Sequence, residues 1–292
     1  MRVANKTIYD IIKFNLGNIT EELNRANKVV ATGKRITELS DDPVGLTQAL
    51  NIRSSLSNIE QLGRNISMGR SWLTASESAL TQVQNQISDA RALCVQMATA
   101  TTGSAERASA AATVQNTLEE IVSLANTEVN GRYIFAGSKT DAAPFSRDND
   151  TNVVTYNGDN KAFTMKIGRD ATVEVGSDGE AVFGDIFTTL SDLKDALEAD
   201  DVSGIQAAMS NLDTHFDRIS TKISEIGSKM LRMETKEKIF QDLNITNTER
   251  LSKIEDADIT EAIMDLKAKE LAYKAALASS ARVMQLSLVD YL

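Results

Sequence analysis

Residues 205–233 read IQAAMSNLDTHFDRISTKISEIGSKMLRM. Within them Met209, Leu212, Phe216, Ile219, Ile223, Ile226, Met230 and Met233 fall alternately three and four residues apart. That alternation is a heptad seam: about 3.5 residues return the chain to one helix face, so the apolar side chains line up along a partner helix. The register runs on through Phe240, Leu251 and Ile254, with Glu237, Asn244 and Asn247 as polar lapses. At ~1.5 Å per residue the helix is about 70 Å long. A seam of that length needs an equally long partner.

Upstream, Ala49, Ile52, Leu56, Ile59, Ile66 and Leu73 keep helical step and continue as Leu80, Val83, Ile87, Ala90, Cys94 and Met97. The stretch TATTGSAERA then turns the chain, with Ser104 as the expected cap. A third helix carries Ala111, Val114, Leu118, Ile121 and Ala125 up to Asn130-Gly131. Nearer the N-terminus, Ile12, Leu16, Ile19, Leu23, Ala26 and Val30 form another seam, with Ile8 one turn ahead. The stretch GKRITELSDDPVG (33–45) ends it: Gly33 can adopt the left-handed conformation that closes a helix. Asp41 or Asp42 can cap the next one, with Pro43 in its first turn.

Between 132 and 184 the character changes. RYIFAG, NVVTYNG, AFTMKIG and ATVEVG are short β-branched or aromatic runs separated by Gly, Asn and Asp, the pattern of small antiparallel hairpins. A short helix, DIFTTLSDLKDALEADD, follows. The chain closes with DITEAIMDLKAKELAYKAALASSARVMQLSLVDYL (258–292), whose stripe is Ile259, Ile263, Leu266, Tyr273, Leu277, Met284, Leu288 and Tyr291, interrupted at Glu270 and Ser280.

The order is helices, a β insert, helices. The predicted fold is mainly α: a long antiparallel helical, coiled-coil rod formed by the N- and C-terminal arms, with a small β-rich domain inserted mid-chain. Three domains are expected: residues 1–40 with 252–292 as a terminal coiled-coil assembly domain, 41–131 with 185–251 as a helical rod, and 132–184 as the β domain. Residues 1–40 carry net +3 and 251–292 net −2, which favours their pairing. A two-helix ribbon buries one side at best, and Ala272, Ala275, Ala276 and Ala278 stay bare on it. The terminal stripes are therefore read as an assembly interface, ordered by packing against other subunits.

Composition narrows the function. The net charge is −10, which disfavours nucleic acid and anionic membrane, since phosphate contact depends on clustered Lys and Arg. No run reaches the ~18 apolar residues of a membrane span. The N-terminal MRVANKTIYD lacks the charged-then-apolar layout of a cleavable secretory signal. One cysteine excludes an internal disulfide. Cys94 sits on an apolar stripe as a packing residue, and the lone histidine, His215, is read as a solvated helix residue. DNDTNVVTYNGD starts like a calcium loop at Asp148, Asp150 and Asn152, but Val153 stands where the loop needs glycine, so a hairpin turn is expected. No catalytic, cofactor or metal constellation emerges, and an enzyme is not expected.

GKRITELSDDPVGLTQALNIRSSL resembles the N-terminal segment of bacterial flagellins and their relatives, and KIEDADITEAIMDLKAKELAYKAAL is similar to the family's C-terminal signature. NGRYIFAGSKTDAAPF resembles the hook-associated branch more than filament flagellin, and Pro43 and Val44 stand where flagellins usually carry small Ala residues. The resemblance covers both helical arms, about 240 residues. It implies a coiled-coil terminal region, a helical rod and an outer β region. It also implies export through the flagellar channel without a cleavable signal, guarded by an export chaperone, and an extracellular place in the flagellum between hook and filament. The implied partners are copies of the chain, hook-associated protein 1 and flagellin. Gly33, Lys34, Arg35, Ile36, Asp41, Asp42 and Gly45 match the N-terminal motif and Ile254, Glu255, Asp256, Ala257 and Asp258 the C-terminal one; they are read as setting the angle between terminal and rod regions. The alternatives are a flagellin-type filament subunit and a cytoplasmic helical signalling rod.

Overall fold

The computed structural model describes residues 2–99, 102–148 and 152–289, with side chains described from Lys6 to Val283. The chain is mainly helical, with small antiparallel β pairs inserted mid-chain. In order, the elements are α1 (Arg2–Thr32), α2 (Pro43–Met97), α3 (Ser104–Ala125), β1 (Glu128–Val129), β2 (Arg132–Tyr133), β3 (Phe145–Arg147), β4 (Val154–Tyr156), β5 (Thr164–Lys166), β6 (Thr172–Glu174), α4 (Gly179–Phe183), α5 (Ile186–Glu198), α6 (Val202–Glu255) and α7 (Ile259–Val289). They form two compact units, Met1–Asn58 with Leu243–Leu292, and Ile59–Asp242. The long helices α2 and α6 contribute residues to both.

In the larger unit α2 and α6 run antiparallel, as the cross-helix pairs Arg70–Glu237, Thr74–Met230 and Arg91–Asp213 require. Their seams bury Ile66, Leu73, Leu80, Val83 and Ile87 with Leu212, Ile219, Ile226 and Met233. Glu237, a polar lapse of the seam, reaches Arg70 Nη1 on α2 at 2.5 Å. Gly69 lies where α2 and α6 approach closely: a Cβ there would stand 2.7 Å from Met233 Cε.

The β runs do not join into one sheet. They form three separate antiparallel pairs, β1–β2, β3–β4 and β5–β6. Each is two or three residues long, too short to stand alone. Aromatic side chains anchor them instead. Phe145 of β3 lies 5.1 Å from Tyr156, 5.4 Å from Phe183 and 5.2 Å from Phe187 between ring centroids, and Phe135 meets Phe183 edge-on at 5.1 Å. Burial pushes the Tyr156 hydroxyl up to about 12, so it stays protonated, accepting from the Gly179 amide at 3.2 Å and donating to the Asp159 carbonyl at 3.0 Å. Arg107, buried on α3, donates to the carbonyls of Met97 and Thr99 and pairs with Asp200, tying the α2–α3 turn to the α5–α6 turn.

Two local expectations change, at Ser104 and at His215. Gly103, not Ser104, precedes α3, and it supplies no side-chain cap. In the loop read as a hairpin turn, Asn152 N–H donates to the Asp148 carbonyl at 2.9 Å, and residues 149–151 lie outside the described residues. His215 is not solvated. It is 5% exposed, because α5 lies over that face of α6 and places the Thr189 hydroxyl 2.9 Å from Nε2. Cys94 is buried as expected, its thiol raised to about 11 by desolvation.

Ile87 is fully buried in the α2–α6 seam, whereas Val95, on the same helix, is 60% exposed. Ile87→Ala should destabilise the larger unit by about 2–5 kcal/mol and Val95→Ala by less than ~0.5 kcal/mol. Urea unfolding followed by fluorescence of Trp72, the single tryptophan and a buried residue of that unit, checks both.

Candidate assembly interface

In the smaller unit α1 and α7 pack side by side and antiparallel, Lys269 Nζ meeting Glu22 Oε2 at 2.7 Å. That bond, the largest cause, holds the Glu22 carboxyl below its ordinary range. Ile12, Leu16, Ile19 and Leu23 of α1 and Leu266 and Tyr273 of α7 are half-buried between the helices. Ile8, Ile259, Ile263 and Leu277 sit further out and remain 43–45% exposed. The contact line of α7 runs through Ala262, Leu266, Lys269, Glu270, Tyr273, Ala276 and Ser280, so both residues that interrupt the stripe in sequence face α1. The side chains of Met284 and Leu288, and the whole of Tyr291, lie outside the described residues.

The two helices leave apolar surface uncovered. Phe14 is 68% exposed and Leu271 69%, with Tyr9, Ile11 and Met264 also largely bare. An open groove of about 400 Å³ runs between them, lined by Ile12, Leu16, Ile19, Ala276, Ser280 and Val283 among others. Large apolar side chains carried on the outer faces of a helix pair mark an interaction surface rather than a core. The sequence pattern named the inner stripe and missed the outer residues. Phe14, Met264 and Leu271 are large apolar residues off the stripe, and that was the available signal.

The motif residues come together where α1 ends and α7 begins. Gly33, at φ +69°, closes α1 with its N–H on the Val29 carbonyl at 2.8 Å. The backbone then pairs antiparallel with the segment between α6 and α7: Arg35 N–H donates to the Glu255 carbonyl at 2.6 Å and Ala257 N–H to the Gly33 carbonyl at 2.9 Å. The Arg35 guanidinium adds a bond to the Ile254 carbonyl at 2.9 Å. Glu255, 2% exposed, receives Lys34 Nζ at 3.0 Å and Arg53 Nη2 at 2.6 Å on one oxygen. A buried carboxylate is costly unless paired and hydrogen-bonded, and here two cations from different elements meet it.

The two aspartates divide the capping. Asp41 Oδ2 accepts from the amides of Thr37 and Glu38 at 3.0 and 2.9 Å, so it shapes the turn before α2, and the Thr37 amide, then that of Glu38, holds its carboxyl below the ordinary range. Asp42 Oδ1 accepts from Gly45 N–H at 2.8 Å and caps α2, with Pro43 at the first helical position. Asp258 caps α7 through Thr260 N–H at 2.8 Å. Ile36 is buried, and a Cβ on Gly45 would stand 2.8 Å from its Cδ1 and collide with Asp42. Asp256 shares a bridge with Lys34. Arg53 was not singled out from the sequence; it flanks the α2 stripe like any other helix base, and nothing marks it as the partner of a carboxylate some two hundred residues away.

Among the described residues no group of three or more His, Cys, Asp and Glu is placed to hold a metal, and no helix is long and apolar enough to cross a membrane.

Residues 3–140 match the family described as the bacterial flagellin N-terminal helical region. The flagellar hook-associated protein 3 of Salmonella typhimurium is 26% identical over 306 residues, covering 94% of this chain and 95% of that protein. The phase 1 flagellin of Salmonella naestved is 27% identical over 185 residues, 63% of this chain but 35% of that flagellin. Among solved structures, FlgL of Bacillus cereus superposes with a TM-score of 0.62 at 27% identity, covering 69% of this chain and 99% of that one.

Glu255→Gln keeps the shape and removes the charge. With Lys34 and Arg53 each partly exposed, the loss should be about 1–2 kcal/mol, short of the ~3–5 kcal/mol of a fully buried pair. Faster hydrogen exchange at the Arg35 and Ala257 amides, with the larger unit unchanged, is the expected readout. Unchanged exchange would show that the backbone pairing stands without the charge.

Proposed function

We propose that the chain is a member of the flagellin family and a structural subunit of the bacterial flagellum, joining hook to filament outside the cell. The observation that carries this is the terminal helix pair, whose apolar outer faces are bare in a single chain. A surface of that kind is covered when copies pack side by side, which makes residues 1–40 with 252–292 the assembly region. Within the smaller unit the Glu255 knot ties the connection after α1 to α2 and to the end of α6. Partners on either side are hook-associated protein 1 and flagellin, and an export chaperone covers the same apolar faces before assembly. The role is mechanical rather than catalytic.

The choice between joint and filament rests on extent. Likeness to the hook-associated protein covers 94% of this chain and 95% of that protein, whereas likeness to flagellin covers 35% of the flagellin. A joint must stop after a short stack. Purified chain is therefore expected not to grow long filaments by itself, and micrometre-long fibres seen by electron microscopy would reject the junction reading.

Phe14→Asp combined with Leu271→Asp should leave the circular dichroism of the monomer unchanged, since both positions face solvent in a single chain. Burying the two new charges between copies is strongly unfavourable, so cells carrying the pair should lack the chain in sheared flagella and fail to swim. Normal swimming would remove the terminal faces from the assembly surface.

A further inference from the structure

The larger unit carries one buried ionisable group that the assembly reading leaves without a role. His215, the single histidine of the chain, lies on α6 under α5. Nε2 is 2.9 Å from Thr189 Oγ1, and Nδ1 is buried with no hydrogen-bond partner among the described residues. The Gly184 turn (φ +48°) brings the chain against the Arg218 guanidinium, one helical turn along α6 from His215. The charged groups acting on the ring are Arg218 on its own helix and Asp185, just before α5.

We propose that His215 is an acid-release point for the α5–α6 contact: a proton added to the ring has no acceptor on the Nδ1 side and a guanidinium nearby, so its arrival loosens the larger unit. Neutral imidazole fits as it stands, with one nitrogen on the threonine hydroxyl and the other buried without a hydrogen-bond partner among the described residues. Imidazolium needs acceptors for two N–H groups and solvation for a charge, and the site offers one hydroxyl. Asp185 opposes the effect only in part.

The direction is fixed by linkage. Desolvation, then Arg218, holds the folded-state pKa of His215 below its ordinary value. The unfolded chain therefore binds the proton first. Stability contributed by the neutral ring is complete above the ordinary histidine pKa of about 6.5 and is lost progressively as pH falls below it, until the folded state also takes the proton. At pH 5 an unfolded imidazole with a pKa of about 6.5 favours unfolding by up to about 30-fold relative to pH 7.5. Carboxylates add their own pH dependence, so the contribution of the ring appears as the difference between wild type and a variant that cannot titrate.

Urea unfolding of the full chain at pH 7.5 and 5.0, followed by Trp72 fluorescence, measures this. The increase in the unfolding constant on acidification should be several-fold to about 30-fold larger in wild type than in His215→Gln. Thr189→Val removes the one hydrogen bond without removing the titration and should keep the wild-type pH dependence at lower stability. NMR titration of the His215 ring protons in the native protein supplies a reading that no variant's folding can spoil. A midpoint depressed below that of a histidine peptide is expected. An ordinary or raised midpoint, or equal acid dependence in wild type and His215→Gln, would overturn the proposal.

Discussion

Two helices laid side by side can cover only the strip along which they touch, and that constraint governs the smaller unit. Leu16, Ile19, Leu23, Leu266 and Tyr273 are half-buried, so each gains roughly half of the ~1.5–3 kcal/mol that full burial supplies. Ordering each helical residue costs about 1–2 kcal/mol, only partly offset by helix hydrogen bonds. A pair on those terms gains most from being covered further. Phe14 and Leu271 on the outer faces are the groups that added burial would reward. Had the pair been built as a closed domain, those positions would be polar.

A thin helix pair also needs a defined attachment. The chain supplies it by crossing two connections, 33–42 and 256–258, at one place. The backbone pairing of Lys34 with Asp256 sets the direction of approach. Glu255 adds specificity: its oxygen is satisfied only when Lys34 from the connection after α1 and Arg53 from α2 arrive together. A buried ion pair is weak as a source of stability, because desolvation consumes most of the attraction. What such a pair enforces is a penalty on every arrangement in which one partner is missing, and this suits a connection whose geometry matters more than its strength.

The seam in 205–233 and its counterpart in 49–97 were legible because heptad spacing is a local property: Leu212, Ile219 and Ile226 declare their common face without reference to a partner. Capping chemistry was legible for the same reason at Gly33 and Asp42. What the pattern could not reveal lies in contacts across long sequence separations. Arg53 finds Glu255, Arg70 finds Glu237, and Asn247 finds Ser55, so two of the three polar lapses of the α6 seam are cross-links to α2 rather than defects. The β runs were recognised as strands, but their separation into pairs goes with contacts such as those of Phe135 and Phe145 on Phe183 of α4, which no local pattern shows. His215 was misread because its neighbour is Thr189 of α5, a residue that no helical spacing on α6 can point to.

The two units thus handle polar burial differently. At the Glu255 knot a buried carboxylate is met by two cations, Lys34 from the connection after α1 and Arg53 from α2. At His215 a buried group is kept neutral, with half of its hydrogen-bonding capacity unused. Histidine is the side chain whose charge ordinarily changes near neutrality.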